Sequence, residues 1–152
     1  MEILLQILAA AGGSCGFSVL YRLRGLKVLI CSLCGASVWS VYLLIVHLTG
    51  SDLLGYFVGA FFGTLLSEVL ARTMKAPATV FISPSVIPLI PGGTLFHGME
   101  YVVQGAMSIA GPILIHTAAI ALLIASGVYA ASIVFPYSAL MSRRKRKFKT
   151  EK

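Results

Sequence analysis

The stretch that decides the fold is residues 81–94, which read FISPSVIPLIPGGT. It lies within the charge-free run 76–99, yet it contains three prolines and two glycines: Pro84, Pro88, Pro91, Gly92 and Gly93. Each proline removes a backbone donor and clashes with the preceding turn, which costs about 3 kcal/mol inside a helix. Irregular backbone at membrane depth is stable only where protein buries it or where it lines a polar cavity. The stretch therefore predicts a membrane span that is broken into two half-helices.

The rest of the chain is also strongly apolar. Of its 152 residues, 58% are hydrophobic and only 11% are charged, whereas soluble domains carry about 25% charged residues. The runs without Asp, Glu, Lys or Arg are 3–21, 28–51, 53–67, 76–99 and 101–142. Because a helix crosses the hydrocarbon core with about 20 apolar residues, the composition argues against a soluble enzyme and predicts an all-α integral membrane protein.

Five transmembrane helices fit these runs, and the fourth is the one broken by the Pro/Gly motif. They are expected at residues 3–21, 28–48, 53–71, 78–105 and 112–135. The turn at 49–52 predicts that Asp52 caps the third helix. Residues 1–142 are expected to form a single transmembrane domain, followed by a basic tail at 143–152.

Basic residues predict the orientation, because they accumulate on the cytoplasmic side of short loops. The tail holds seven of the twelve basic residues, and the other five are Arg22, Arg24, Lys27, Arg72 and Lys75. With five crossings, all of them lie inside, the N-terminus lies outside and the tail is cytoplasmic. A basic run beside an apolar segment is typical of contact with anionic lipid, so nucleic acid is not expected as a partner.

The third span carries a strip of glycines four residues apart, Gly55, Gly59 and Gly63. Such a strip lets a second helix approach closely, and membrane helices associate largely through this kind of packing. Two interpretations remain open. The strip packs either against another subunit or against other helices of this chain.

The broken fourth span predicts a substrate path. Broken helices place free N–H groups and the positive end of a helix dipole at an anionic ligand. Ser83 before Pro84 is typical of one helix start, and Thr94 after Gly93 is typical of a second. The alternative is a kinked span with a purely structural role. The candidate path residues in this span are Ser83, Pro84, Pro88, Pro91, Gly92, Gly93 and Thr94.

Two ionisable residues outside the broken span are also candidates. Glu68 is either an inward-facing carboxylate in the path or a partner of Arg72 one turn later. His116 is either a proton relay or a packing residue held by a hydrogen bond. On the amphipathic stretch after Thr94, we expect residues 97, 100 and 104 to share one helical face.

Other chemistries find no support in the sequence. Cys31 and Cys34 have redox-pair spacing but lie inside a predicted span, where small residues pack between helices. No second Cys or His pair stands near them, so no metal site is predicted. Nucleotide-binding and hydrolase motifs are missing as well. We therefore predict no cofactor and no enzymatic activity.

Residues 87–92, IPLIPG, match a short Ile-Pro-Leu-x-Pro-Gly run that closes a kinked membrane segment in the threonine/serine exporter family. The Gly63-Thr64 pair and the stretch from Glu68 to Pro77 extend the likeness, which covers about residues 5–140. The chain resembles the small subunit of that family, equivalent to the C-terminal membrane half of fused exporters. Pro84, Pro88, Pro91, Gly92 and Gly93 carry over as motif positions.

This resemblance implies proton-motive-force-driven export of threonine, serine or a similar small metabolite, including dicarboxylates, across a bacterial plasma membrane. It also implies a larger membrane subunit of the same family as partner, beside the lipid bilayer itself. The alternative function is a scaffold or assembly subunit that carries no substrate.

Overall fold

The computed structural model describes residues 1–150, with side chains described for residues 1–134. Every regular element in this part of the chain is helical. The helices are α1 (Glu2–Leu20), α2 (Leu26–Thr49), α3 (Asp52–Thr73), α4 (Thr79–Val86), a 3-10 turn at Ile87–Leu89, α5 (Gly92–Val103) and α6 (Met107–Thr150). The basic tail predicted at 143–152 lies outside the residues whose side chains are described.

Four helices are long and apolar enough to cross a membrane: α1, α2, α3 and the Met107–Val134 part of α6. The segments Thr79–Leu89 and Gly92–Val103 pass the same test together and are bent by 55° at their junction. The predicted all-α membrane fold with a broken fourth span is thus confirmed. The last span begins earlier than expected, because Pro112 removes only the hydrogen bond to the carbonyl of Ser108 and does not stop the helix.

The bent pair passes from one end of the bundle to the other. His116 near the start of α6 lies 3.4 Å from Asp52 at the start of α3. Further along, Gly127 of α6 packs on the backbone of Phe57 in α3. Helices α3 and α6 therefore run in the same direction, which requires α4, the turn and α5 together to return the chain across the bundle.

Small residues dominate the interior of the bundle, so the helix backbones approach closely. One buried cluster holds Cys31, Ala71 and Phe81, and a second holds Val38, Ala60 and Leu89. The large apolar side chains lie mostly on the outside, among them Leu8, Leu33 and Leu122. This pattern is typical of a bundle solvated by lipid, where burying large apolar side chains brings no advantage over exposing them.

Three local predictions about helix ends are wrong. Ser83 and Pro84 do not begin a helix but lie within α4, where Ser83 Oγ donates to the carbonyl of Thr79 at 3.1 Å. Thr94 does not begin α5, which starts at Gly92 after Pro91. Asp52 is not a cap, because the N-cap position of α3 is Ser51. Short polar residues bond local carbonyls within helices as well as at helix ends, so the pattern alone does not separate the two cases.

Candidate functional site

The break between α4 and α5 is held by a few short-range backbone hydrogen bonds. The N–H of Ile90 donates to the carbonyl of Ile87 at 3.0 Å, and the N–H of Gly92 donates to that of Ile90 at 2.7 Å. Pro88 has no N–H, so the carbonyl of Pro84 loses its α-helical partner. The first N–H groups of α5 have no partner within the helix either. The break thus concentrates backbone donors and acceptors that the helices do not use.

Leu89 anchors the break in the bundle. Its side chain is fully buried and packs on α3 at Gly59, where an added Cβ would lie 3.3 Å from Leu89 Cδ1 and 3.6 Å from Tyr42 Cβ. The lack of a side chain at Gly59 is what lets the broken segment lie this close to α3. The irregular backbone is therefore packed within the protein on the Leu89 side.

Above and below Gly59, the glycine strip of α3 faces α2. An added Cβ at Gly55 would lie 2.7 Å from Val46 Cγ2, and one at Gly63 would lie 2.7 Å from Val38 Cγ2. All three glycines of the strip thus have neighbours within this chain. In contrast, the pair Gly12 and Gly16 on α1 has no atom within 4 Å of an added Cβ.

Hydroxyl groups line the contact between α3 and α4. Ser67 Oγ donates to the carbonyl of Gly63 at 2.7 Å, and Ser85 Oγ donates to that of Phe81 at 2.8 Å. The two hydroxyl oxygens lie 3.3 Å apart, and both side chains are fully buried. This contact was not anticipated, since Ser85 lay inside the motif without a partner that the sequence could identify.

Two clefts flank the break. The Trp39 cleft, of about 290 Å³, lies between α1, α2 and the 3-10 turn and is lined by Gln6, Ala9, Ala10, Trp39 and Pro88. The Ser83 cleft, of about 330 Å³, lies on another side of the break. Its lining includes Tyr21, Ser83, Ile87 and Val128. Pro88 and Ser83, both predicted path residues, therefore border open space.

Three aromatic rings extend from the Trp39 cleft toward the start of α3. The ring centroids of Trp39 and Tyr42 are 4.8 Å apart, and those of Tyr42 and Tyr56 are 4.7 Å apart. The indole Nε1 of Trp39 is buried, and no acceptor lies within hydrogen-bond distance among the described residues. Sequence reasoning missed Trp39, because an aromatic residue in an apolar span is usually a packing residue.

His116 and Asp52 meet at the same end of the bundle, where they form an ion pair when the imidazole is protonated. His116 Nε2 lies 3.4 Å from Asp52 Oδ2, and the two side chains are 44% and 48% exposed. Sequence reasoning named His116 but missed Asp52 as its partner, since 64 positions separate them and the pairing depends on the parallel arrangement of α3 and α6. His116 thus joins two helices at the end of the bundle.

Glu68 lies in the opposite half of α3 from that ion pair. Sixteen residues of helix separate it from Asp52, or about 24 Å of rise. Its neighbour Ser67 faces Ser85, and consecutive helical residues point about 100° apart, so Glu68 is turned away from that contact and is half-buried. The structure therefore places Glu68 and His116 on opposite sides of the break and does not bring them into one site.

The second half of the broken span exposes its first turn. Gly92 and Gly93 are exposed, with no atom within 4 Å of an added Cβ, and Thr94 Oγ1 donates to the carbonyl of Pro91 at 3.0 Å. Further along α5, Glu100 lies 3.3 Å from His97 Nδ1 and 3.4 Å from Gln104 Nε2. These contacts confirm that residues 97, 100 and 104 share one face.

The cysteines of α2 are packing residues. Cys31 and Cys34 are free thiols, and both are buried between helices. Among the described residues, no group of three or more His, Cys, Asp or Glu side chains is placed to hold a metal ion. The polar features near the break are instead hydroxyls, an indole, an amide and unpaired backbone groups, which are suited to binding a small polar solute by hydrogen bonds.

A helical bundle with a broken span inside it defines a multi-pass membrane protein of the kind that transports small solutes. Residues 6–134 match the family model described as Threonine/Serine exporter, ThrE. The chain therefore belongs to the threonine/serine exporter family, a family of transporters and not of enzymes. No curated protein and no solved structure matches the chain significantly.

Proposed function

We propose that the chain is the small subunit of a secondary transporter. It exports threonine, serine or a similar small carboxylate-bearing metabolite from a bacterial cytoplasm, together with a larger membrane subunit. The observation that carries the proposal is the break at residues 87–91, which is anchored on α3 through Leu89 in a chain that belongs to this exporter family. Broken spans at this depth are typical of substrate sites in secondary transporters.

The chemistry of the break supports a substrate with both a carboxylate and an ammonium group. The first turn of α5 offers free N–H groups and the positive end of the helix dipole, which favour an anion. Gly92 and Gly93 leave this turn open. The carbonyl that Pro88 deprives of its helical partner is an acceptor for an ammonium group. Glu68, which lies in the other half of the bundle, is the candidate to accept the coupling proton.

The exposure of this turn supports the proposal of a larger partner subunit. The first turn of α5 lies next to the break and is open on the surface of the chain. An unsatisfied backbone group in contact with hydrocarbon costs several kcal/mol. A second membrane protein that covers this turn would enclose the substrate and remove that cost.

Efflux of radiolabelled threonine, serine and succinate from cells tests the proposal. The chain is expressed with and without a candidate larger membrane subunit of the same exporter family. We expect export only when both are present, and loss of export for Gly92→Leu and Glu68→Gln at normal membrane abundance. Ala118→Leu, on the exposed surface of α6, is the matched control for added bulk and should export normally. Wild-type efflux from both site variants would refute the site, and transport by the larger protein alone would indicate the scaffold function.

The proposed orientation has the N-terminus outside and the tail in the cytoplasm. It rests on the five basic residues outside the tail. They lie in or beside the connections at one end of the bundle, because α1 and α3 end there and α2 and α4 begin there. A cysteine introduced at Ser51 should react with a membrane-impermeant maleimide in intact cells, whereas one introduced at Lys75 should react only after lysis. The reverse pattern would overturn the orientation.

A further inference from the structure

The Trp39 cleft lies against the break but on a different surface from the first turn of α5. Pro88 forms one side of it, α1 forms the opposite side through Ala9 and Ala10, and Trp39 of α2 closes it. Residues 88 and 91 are three positions apart, which spans at most about 10 Å of extended chain. The first turn of α5 and the cleft therefore lie close enough for a solute to move directly from one to the other.

Two residues that line the Trp39 cleft, Trp39 and Gln6, carry polar side-chain groups. The indole Nε1 of Trp39 is a donor, because indole has no acceptor, and it is buried with no partner among the described residues. Gln6 also lines the cleft and is exposed on α1, one turn after Glu2. An unpaired buried donor is costly, and a polar side chain within a membrane span is expensive and usually functional.

The dimensions of the Trp39 cleft set the class of ligand. Its volume of about 290 Å³ lies at the lower limit of pockets for drug-sized ligands, so it suits a smaller metabolite. Its walls are alanine methyl groups, a proline and an indole ring that is held in place by Tyr42 at 4.8 Å. Both polar groups can donate hydrogen bonds, and the cleft lining contains no carboxylate, so an anionic acceptor fits it.

We propose that the Trp39 cleft is a second binding position for the substrate, in which Trp39 Nε1–H and the Gln6 amide donate to its carboxylate. This rests on the proposed export of a small carboxylate-bearing metabolite and adds a residue set that lies outside the Pro/Gly motif. A transported solute must bind well enough to enter and weakly enough to leave, which successive positions achieve better than one tight site. The cleft and the α5 turn are two such positions on either side of Pro91.

The binding test uses the fluorescence of Trp39, which is the single tryptophan of the sequence. The purified full chain in lipid nanodiscs is titrated with L-threonine, L-serine, succinate and L-threoninamide, which lacks the carboxylate. We expect a saturable change in emission with at least one of the three carboxylates and none with the amide. Gln6→Leu should raise the dissociation constant about tenfold, because a hydrogen bond to a charged group contributes a factor of about ten or more to the affinity. Gln104→Leu, at the position just after α5, is the matched control and should titrate like the wild type.

A second measurement keeps the proposal testable if a variant folds poorly. Trp39→Phe retains the ring but removes the donor. In the efflux assay with both subunits it should raise the half-saturating substrate concentration about tenfold at normal abundance. If the wild type exports normally but none of the carboxylates changes its Trp39 emission, the cleft is not a substrate-binding position, and the proposed exporter function is unaffected. A carboxylate-dependent emission change without any efflux would support the cleft and overturn the exporter function.

Discussion

Replacing Gly127 with alanine tests the close packing of α6 on α3. An added Cβ at Gly127 would lie 2.6 Å from the carbonyl oxygen of Phe57, 3.2 Å from Ala60 Cβ and 3.2 Å from the backbone N of Phe61. Two of these three atoms belong to the backbone of α3, so no side-chain rotation can make room. The two helices must separate, and the packing along their whole contact is affected.

The size of the expected destabilisation is obtained by comparison with a glycine at which an added Cβ would meet no other atom. Gly16 lies within α1, is exposed, and has no atom within 4 Å of an added Cβ. Both Gly127→Ala and Gly16→Ala gain about 0.5–1 kcal/mol from the better helix propensity of alanine, and this gain cancels in the comparison. The remaining difference is the overpacking cost, about 1–3 kcal/mol. A difference of 2 kcal/mol changes the ratio of folded to unfolded protein by a factor of about 30.

The assay is unfolding of the purified chain by SDS titration in mixed micelles, followed by circular dichroism. We expect the free energy of unfolding of Gly127→Ala to be lower than that of Gly16→Ala by about 1–3 kcal/mol. Equal values for the two variants would refute the contact between α3 and α6. The parallel arrangement of these helices, and with it the crossing of the broken span, would then lose its main support.

The break, the cysteines and the ion pair allow three more predictions. Leu89→Ala should destabilise the chain by about 2–5 kcal/mol because it empties a fully buried position, whereas Ile90→Ala, which is 61% exposed, should have little effect in the same SDS titration. N-ethylmaleimide should label half-exposed Cys15 in the folded protein but Cys31 and Cys34 only after unfolding, as mass spectrometry of the labelled peptides would show. A double-mutant cycle of Asp52→Asn and His116→Gln should give a coupling free energy of at most about 1 kcal/mol, because both side chains are half-exposed. A coupling above about 2 kcal/mol would contradict a weak surface pair.

The positions of the spans were predictable because they depend on composition alone. Charge-free runs of sufficient length must cross the membrane whatever they pack against, and each of the first three predicted spans agrees with its helix within two residues. The positions at which helices begin within the broken segment were less predictable. Ser83 and Thr94 bond carbonyls that lie three or four residues before them, and this local choice depends on which backbone groups the prolines leave free.

The candidate site was predicted in part. The motif at 84–93 located the break, and the break is where irregular backbone meets two clefts. Ser67, Trp39 and Gln6 were not identified, because each lies on a different helix and has no local pattern. Their relation to the break depends on how α1, α2 and α3 pack around Pro88 and Ser85, and one sequence does not contain that information.

The sequence by itself determined that this is a membrane protein of about five spans, with the fourth broken by Pro84, Pro88 and Pro91, because hydrophobic length and missing backbone donors are properties of the chain. Only the tertiary structure decided which surfaces of the helices meet. The glycine strip of α3 receives α2 and Leu89, Asp52 meets His116, and Trp39 closes a cleft beside the break. Helices in lipid associate through close packing and not through a hydrophobic driving force, so their pairing depends on the fit of particular side chains across helices distant in sequence.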